Sequence, residues 1–121
     1  MRFMSLWKPG IELSGPPSEE EMVQLNALIE GMKADGTLIA TDGLQASAKG
    51  ARVRLENGKV TVTDGPFTET KELIAGYAIL NCRSKEHAID LAKRFLAVMG
   101  GYGECEVRQM HEEPDCHEEA A

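Results

Sequence analysis

The chain is poor in aromatic residues, histidine and cysteine, and each shortage removes a class of function. One Trp, two Tyr and three Phe in 121 residues offer little surface for stacking bases, and 13 Lys and Arg against 20 Asp and Glu leave no basic excess to neutralise phosphates. Nucleic acid is therefore not an expected partner. No apolar run approaches the roughly 20 residues that a membrane-spanning helix needs, so no membrane partner is expected either. Three cysteines, Cys82, Cys105 and Cys116, make an odd count without a CxxC pair. Met1 to Trp7 also lacks the long apolar stretch and small-residue cleavage site of a secretory signal, and a reducing cytoplasm is the expected location. Cys82 and Cys105 read as small buried hydrophobes within strands, and Cys116 as an exposed thiol.

The three histidines are dispersed. His87 opens a helix, where local hydrogen bonding or solvent is its expected environment. His111 and His117 fall near Asp115 and Cys116 in a spacing that matches no closed zinc pattern, so no metal is expected. No glycine-rich phosphate cradle, nucleophile elbow or triad order appears, and no cofactor is expected.

What is present fits one compact domain: 42% of residues are hydrophobic, and a chain this long can bury a core without a disulfide or metal. The net charge is -7. Most of it is terminal, because residues 104–121 hold seven acids against Arg108 alone. This divides the chain into a domain over 1–110 and an acidic polar tail over 111–121.

Residues 1–7 alternate as a strand would, and Lys8 to Pro17, with three prolines and two glycines, reads as a loop. Ser18 and Glu21 form a capping box that starts a helix. Met22, Leu25, Leu28, Ile29 and Met32 give that helix one apolar face, and Asp35-Gly36 stops it. Thr37 to Thr41 is a short strand, turned away by Asp42-Gly43-Leu44-Gln45. Asn57-Gly58 suits a type I′ hairpin that sets Glu56 opposite Lys59, Leu55 opposite Val60, Arg54 opposite Thr61 and Val53 opposite Val62. One face of this hairpin is apolar, as in a sheet covered on one side. Ile74 to Cys82 is nearly continuous in apolar character and reads as a central strand, with Gly76 marking a bulge or close approach. Ser84 caps a second helix whose apolar face is Ala88, Leu91, Ala92, Phe95 and Leu96. Gly100-Gly101 ends it, and Glu104 to Met110 alternates as the last strand.

The resulting fold class is α+β: a ferredoxin-like split βαβ with an inserted β-hairpin, an antiparallel sheet carrying two helices on one face. The other face of the sheet keeps apolar side chains that nothing in the chain covers. Pairing two sheets in a two-fold homodimer, a dimeric α+β barrel, would remove them from water.

The chemistry-bearing string is Asp64-Gly-Pro-Phe-Thr-Glu-Thr-Lys-Glu72. It reads either as a binding loop built on Gly65, Pro66 and Phe67, or as a turn with Phe67 as a core plug and a solvated charged edge. If there is a reaction, Asp64 and Glu69 are the candidate acid and base, Asp42 a second carboxylate and Lys71 their electrostatic partner. Trp7 and Tyr77 either line an apolar pocket for a small-molecule ligand or pack in the core or a dimer interface.

This string resembles the signature of the DGPF branch of the YCII-related family. The resemblance continues through Lys71 to Tyr77, and Asp42 to Gln45, Ser47 to Arg54, Thr61 to Thr63 and the Ser84 to Glu86 helix start are similar to that branch as well. It spans residues 1 to about 110. The family is similar in fold to the dimeric α+β barrel proteins, which implies a homodimer. The resemblance also implies possible enzyme activity, since the wider family is identified with a histidine and aspartate pair and includes a protein resembling a dehydrochlorinase of a substituted aromatic diol. Here the first helix, Ser18 to Asp35, contains no histidine, so that pair does not carry over. Association of this branch with extracytoplasmic-function sigma factors further implies a sigma-factor partner. Two functions follow: a cofactor-free lyase or isomerase moving a proton on a carboxylate, or a non-catalytic module that binds a small ligand or a protein.

Overall fold

The structure, a computed structural model, describes residues 1–13 and 15–112. Eight elements follow in order: β1 (Arg2–Lys8), α1 (Glu19–Ala34), β2 (Leu38–Gly43), β3 (Ala51–Glu56), β4 (Lys59–Asp64), β5 (Gly76–Asn81), α2 (Lys85–Val98) and β6 (Glu104–Gln109). The main sheet has the order β2-β5-β1-β6, with every neighbouring pair antiparallel. With the hairpin set aside, this is the ferredoxin-like arrangement: β5 is inserted between β1 and β2, and each helix returns the chain across the sheet.

Local chemistry starts each helix where the sequence predicts. At α1 the Ser18 hydroxyl accepts from the Glu21 amide at 3.2 Å and the Glu21 carboxylate accepts from the Ser18 amide at 3.0 Å. Such a cap contributes about 1 kcal/mol. At the other end Gly36 takes φ 78, and the Asp35 carboxylate accepts from the Thr37 amide at 2.9 Å. The start of α2 repeats the logic, since the Ser84 hydroxyl accepts from the His87 amide at 3.2 Å. The His87 ring stays local, its Nδ1 accepting from the Arg83 amide at 3.2 Å.

The two helices sit differently on the sheet. α2 buries Ala88, Leu91 and Ala92, which join Phe3, Leu80 and Cys82 in the core. α1 has no buried residue; only Met32 packs against the edge of that cluster. Its apolar face is present as expected, but it stands over a cleft instead of closing onto the strands.

Two further expectations are corrected. The Asp42-Gly43 pair continues β2, because a register shift between Leu38 and Ala40 carries the strand on until Asp42 pairs with Tyr77 and Gly43 with Gly76. A β-carbon on Gly76 would lie 3.1 Å from the Asp42 carbonyl oxygen, so glycine is what lets the strands approach here. The hairpin register is as expected, with Asn57 and Gly58 both at positive φ. However, β3 and β4 form a separate two-stranded sheet, and Val53, Leu55, Val60 and Val62 are 60 to 71% exposed. Nothing in the described chain covers their face.

On the side of the main sheet away from the helices, alternation places Met4, Leu6, Tyr77 and Ile79. Beside them Lys8 Nζ meets Glu106 Oε1 at 2.9 Å, and Arg108 Nη1 meets Glu106 Oε2 at 3.1 Å. Hydrogen bonding from Lys8, and then from Arg108, holds the Glu106 carboxyl below its ordinary 4.5. The bond to Glu106 raises Lys8 above 10.5. A lowered carboxyl stabilises the fold above its unfolded pKa and loses that contribution as pH falls through the folded value; a raised ammonium stabilises below its unfolded pKa and loses it as pH rises through the folded value. Glu106→Gln should therefore flatten the acid side of a melting-temperature profile while leaving melting near neutrality only slightly lower. An unchanged acid limb would show that the bridge is not held in solution.

Candidate functional site

The predicted site residues divide between two places. The first is the segment after β4. Gly65 donates its amide to the Gly50 carbonyl at 3.0 Å, and Phe67 donates its amide to the Ser47 hydroxyl at 3.1 Å. Ser47, in a 3-10 turn over Ser47–Lys49, in turn donates its hydroxyl to the Glu12 carboxylate. A β-carbon on Gly65 would clash with the Ser47 carbonyl oxygen, so the residue type at 65 is dictated by this contact. The Gly65-Pro66 bond is cis. Phe67 is half-buried with the Arg52 guanidinium 3.9 Å above its ring, a cation–π contact at the hairpin base and not the core plug considered above. Asp64 and Glu69 are exposed. Glu69 and Lys71 lie with Thr68, Thr70 and Glu72 around a shallow hollow of about 390 Å³.

The second place was only partly legible in the sequence, which offered Trp7 and Tyr77 as pocket lining. Between α1, α2 and the helix-bearing side of the sheet lies an open cleft of about 980 Å³, a size typical of small-molecule sites. Leu25, Leu28, Ile29 and Met32 form its α1 wall, and Leu91, Ala92, Phe95 and Met99 its α2 wall. Trp7, Ser5 and Cys105 belong to the sheet side, where Trp7 pairs with Cys105 across β1 and β6. The Trp7 ring stands edge-on to Phe95, with centroids 5.3 Å apart and planes at 80°. Burial pushes the Cys105 thiol up, against a smaller downward pull from the Ser5 hydroxyl, which keeps it a neutral group.

One polar atom in this wall is unsatisfied. Trp7 Nε1 is buried and, among the described residues, has no hydrogen-bond partner. Such an orphaned donor costs about 1–3 kcal/mol.

Of the residues singled out in the sequence, Trp7, Asp42 and Tyr77 line the cleft, while Asp64, Gly65, Pro66, Phe67, Glu69 and Lys71 do not. Alternation along β2 and β5 starts the Asp42 and Tyr77 side chains on the far side of the sheet, so they belong to the rim. The two places are joined by Ser47: its partner Glu12 also lines the cleft, as does the neighbouring Ala46. Among the described residues no group of three His, Cys, Asp or Glu side chains gathers as metal ligands, and no helix is long and apolar enough to cross a membrane. Asp115, Cys116 and His117, with most of the acidic tail, lie outside the described residues; His111 and Glu112 are tied to β1, Arg2 donating its amide to Glu112 Oε1 at 3.0 Å and its Nη2 to the His111 carbonyl at 2.6 Å.

A curated relative, an uncharacterised protein of Rhizobium meliloti (strain 1021), is 32% identical over 92 residues, which cover 76% of this chain and 74% of the relative. Among solved structures, 5-chloro-2-hydroxyhydroquinone dehydrochlorinase from Burkholderia phenoliruptrix AC1100, in complex with 2,5-dihydroxybenzoquinone, aligns with a TM-score of 0.46 and 14% identity over 95% of this chain and 98% of that one. The YCII-related domain matches residues 1–111, from the start of the sheet to beyond β6, and the chain belongs to that family.

Proposed function

We propose that this chain binds a small, mainly apolar ring compound in the cleft between α1 and the sheet, and that it does so as a homodimer. The observation that carries the binding reading is the open cleft of about 980 Å³ whose walls are the apolar side chains of α1 and α2 with Trp7 on the sheet side. An apolar ligand that displaces water from these side chains gains the free energy of burying their apolar surface. The dimer reading rests on the exposed apolar face of the hairpin and on the half-buried Met4, Leu6, Tyr77 and Ile79 on the outer face of the sheet. In the cofactor-free lyase or isomerase version of this function, Asp42 is the carboxylate to consider first. It is the member of the expected set that lines the cleft, whereas Asp64 and Glu69 act on the cleft only if a second chain brings them there.

Trp7 is the single tryptophan of the chain, so its emission reports on the cleft alone. A panel of one- and two-ring aromatic compounds should contain members that shift or quench this emission saturably at a stoichiometry of one per chain. A panel that leaves the emission unchanged throughout would overturn the binding reading. For any compound that is also chemically altered, Asp42→Asn should abolish turnover and spare binding; full turnover by that variant would remove Asp42 from the mechanism.

A further inference from the structure

The two ends of α1 are held very differently. At the C-terminal end Met32 packs against the core cluster, and the chain passes at once into Thr37, which is buried. The Thr37 amide donates to the Met32 carbonyl at 2.9 Å, and the Thr37 carbonyl accepts from the Asn81 amide at the end of β5 at 2.7 Å. Gly36, at φ 78, is the one residue between the C-cap Asp35 and this anchor, and nothing lies within 4 Å of where its β-carbon would stand. At the N-terminal end the Ser18–Glu21 box is local to the helix start. Among the described residues no side chain of α1 makes an ion pair or a hydrogen bond to another element; the incoming chain is tied before the helix begins, by the bond between Glu12 and Ser47. In this half Met22 and Val23 are 38% and 70% exposed, and Leu25, Leu28 and Ile29 stand half-buried over the cleft.

We infer that α1 is a hinged lid over the cleft, pivoting on Asp35-Gly36; what the lid encloses rests on the binding reading above. Closure carries Leu25, Leu28 and Ile29 toward Leu91, Ala92 and Phe95 on the opposite wall, and the apolar surface removed from water favours that movement. The lever is long: α1 spans about 24 Å at 1.5 Å per residue, so a rotation of about 15° at the pivot moves its first turn by about 6 Å. Hinges place such a change in a few residues at the end of an element, and Gly36, without a β-carbon, absorbs it at little cost. A ring compound seated between the walls supplies the contacts that α1 lacks and holds the lid at one angle. Ligand binding and lid position therefore shift together.

The test uses the full chain carrying Cys105→Ser and Cys116→Ser, with nitroxides on two pairs of introduced cysteines: Val23→Cys with Lys93→Cys, and Lys33→Cys with Lys93→Cys. All three positions are exposed. Pulsed electron paramagnetic resonance in an excess of unlabelled chain reads distances within one chain only. In the free chain the Val23–Lys93 distribution should be broader than the Lys33–Lys93 distribution by about 5 Å, because the first site lies far from the pivot and the second beside it. Ethylbenzene, a neutral one-ring probe whose binding Trp7 emission reports, should narrow the first distribution to the width of the second. Two equally narrow distributions in the free chain mean a fixed helix, and two equally broad ones a helix loose along its whole length; either result overturns the lid and leaves the binding reading standing. So does a Val23–Lys93 distribution that stays broad once Trp7 emission shows saturation. Emission unmoved by ethylbenzene and by the aromatic panel overturns the binding reading alone, and the free-chain widths then decide the lid.

Discussion

Gly65→Ala is expected to destabilise the protein by about 3 kcal/mol, the upper part of the range for forcing a methyl group into filled space. At roughly 4 °C per kcal/mol for a domain of this size, the melting temperature should fall by about 12 °C. The new β-carbon would overlap the Ser47 carbonyl oxygen, and both are backbone-fixed atoms with no rotamer to escape into. Relief requires parting the segment after β4 from the Ser47–Lys49 turn. That movement breaks the hydrogen bonds from Gly65 to Gly50 and from Phe67 to Ser47. The same substitution at Gly31, inside α1 where nothing lies within 4 Å of the added carbon, should instead stabilise by about 0.5–1 kcal/mol through helix propensity. Thermal melts of the two variants side by side decide the matter, and equal melting temperatures would show that the Gly65 contact is not held in solution.

The second large effect concerns association. Val53 and Val62 face each other across the hairpin and are 70% and 64% exposed within one chain. Lysine at both positions costs the isolated chain almost nothing. If this face is buried in a homodimer, two unpaired ammonium groups must be desolvated together, which weakens association by roughly a hundredfold or more. Light scattering should report the mass of two chains for the parent protein and of one for the double variant, with the circular dichroism spectrum of the two unchanged. A parent protein that already has the mass of a single chain, or a double variant that stays dimeric, would overturn the assignment of this face.

Local chemistry made much of the fold legible. The Ser18 and Glu21 reciprocal cap, the Asn57-Gly58 turn and the hairpin register it imposes are decided by groups a few residues apart, and each occurs as the sequence predicts. What escaped was set by distance in space. Met22, Leu25, Leu28, Ile29 and Met32 specify an apolar helix face, but periodicity carries no information on how far that face stands from the sheet. The cleft is the result. The Asp42-Gly43 pair carries strong turn chemistry, yet pairing with Tyr77 and Gly76 on β5 overrides it. Alternation of Val53, Leu55, Val60 and Val62 identifies an apolar face without identifying its cover. The Asp64 to Glu72 string drew notice for its charges, whereas the structure ties its glycine to a steric contact with Ser47 and its phenylalanine to Arg52. Trp7 could be read in the sequence as pocket lining or core packing. It is both at once, with one edge on Phe95 and its nitrogen unpaired.

The position of β1 has a kinetic consequence. It lies inside the sheet, and its partners are β5, with Arg2 against Asn81, and β6, with Phe3 against Gln109. Both ladders close only after most of the chain has been collected, so the loop-closure entropy is met before the sheet contributes anything in return. A helix-rich protein of this length would fold in microseconds to milliseconds; pairing of such high contact order slows the chain toward the millisecond-to-second range. Until then Phe3, Met4, Leu6 and Trp7 form an apolar strand open on both edges, the segment of this protein most exposed to mispairing with another chain while it folds.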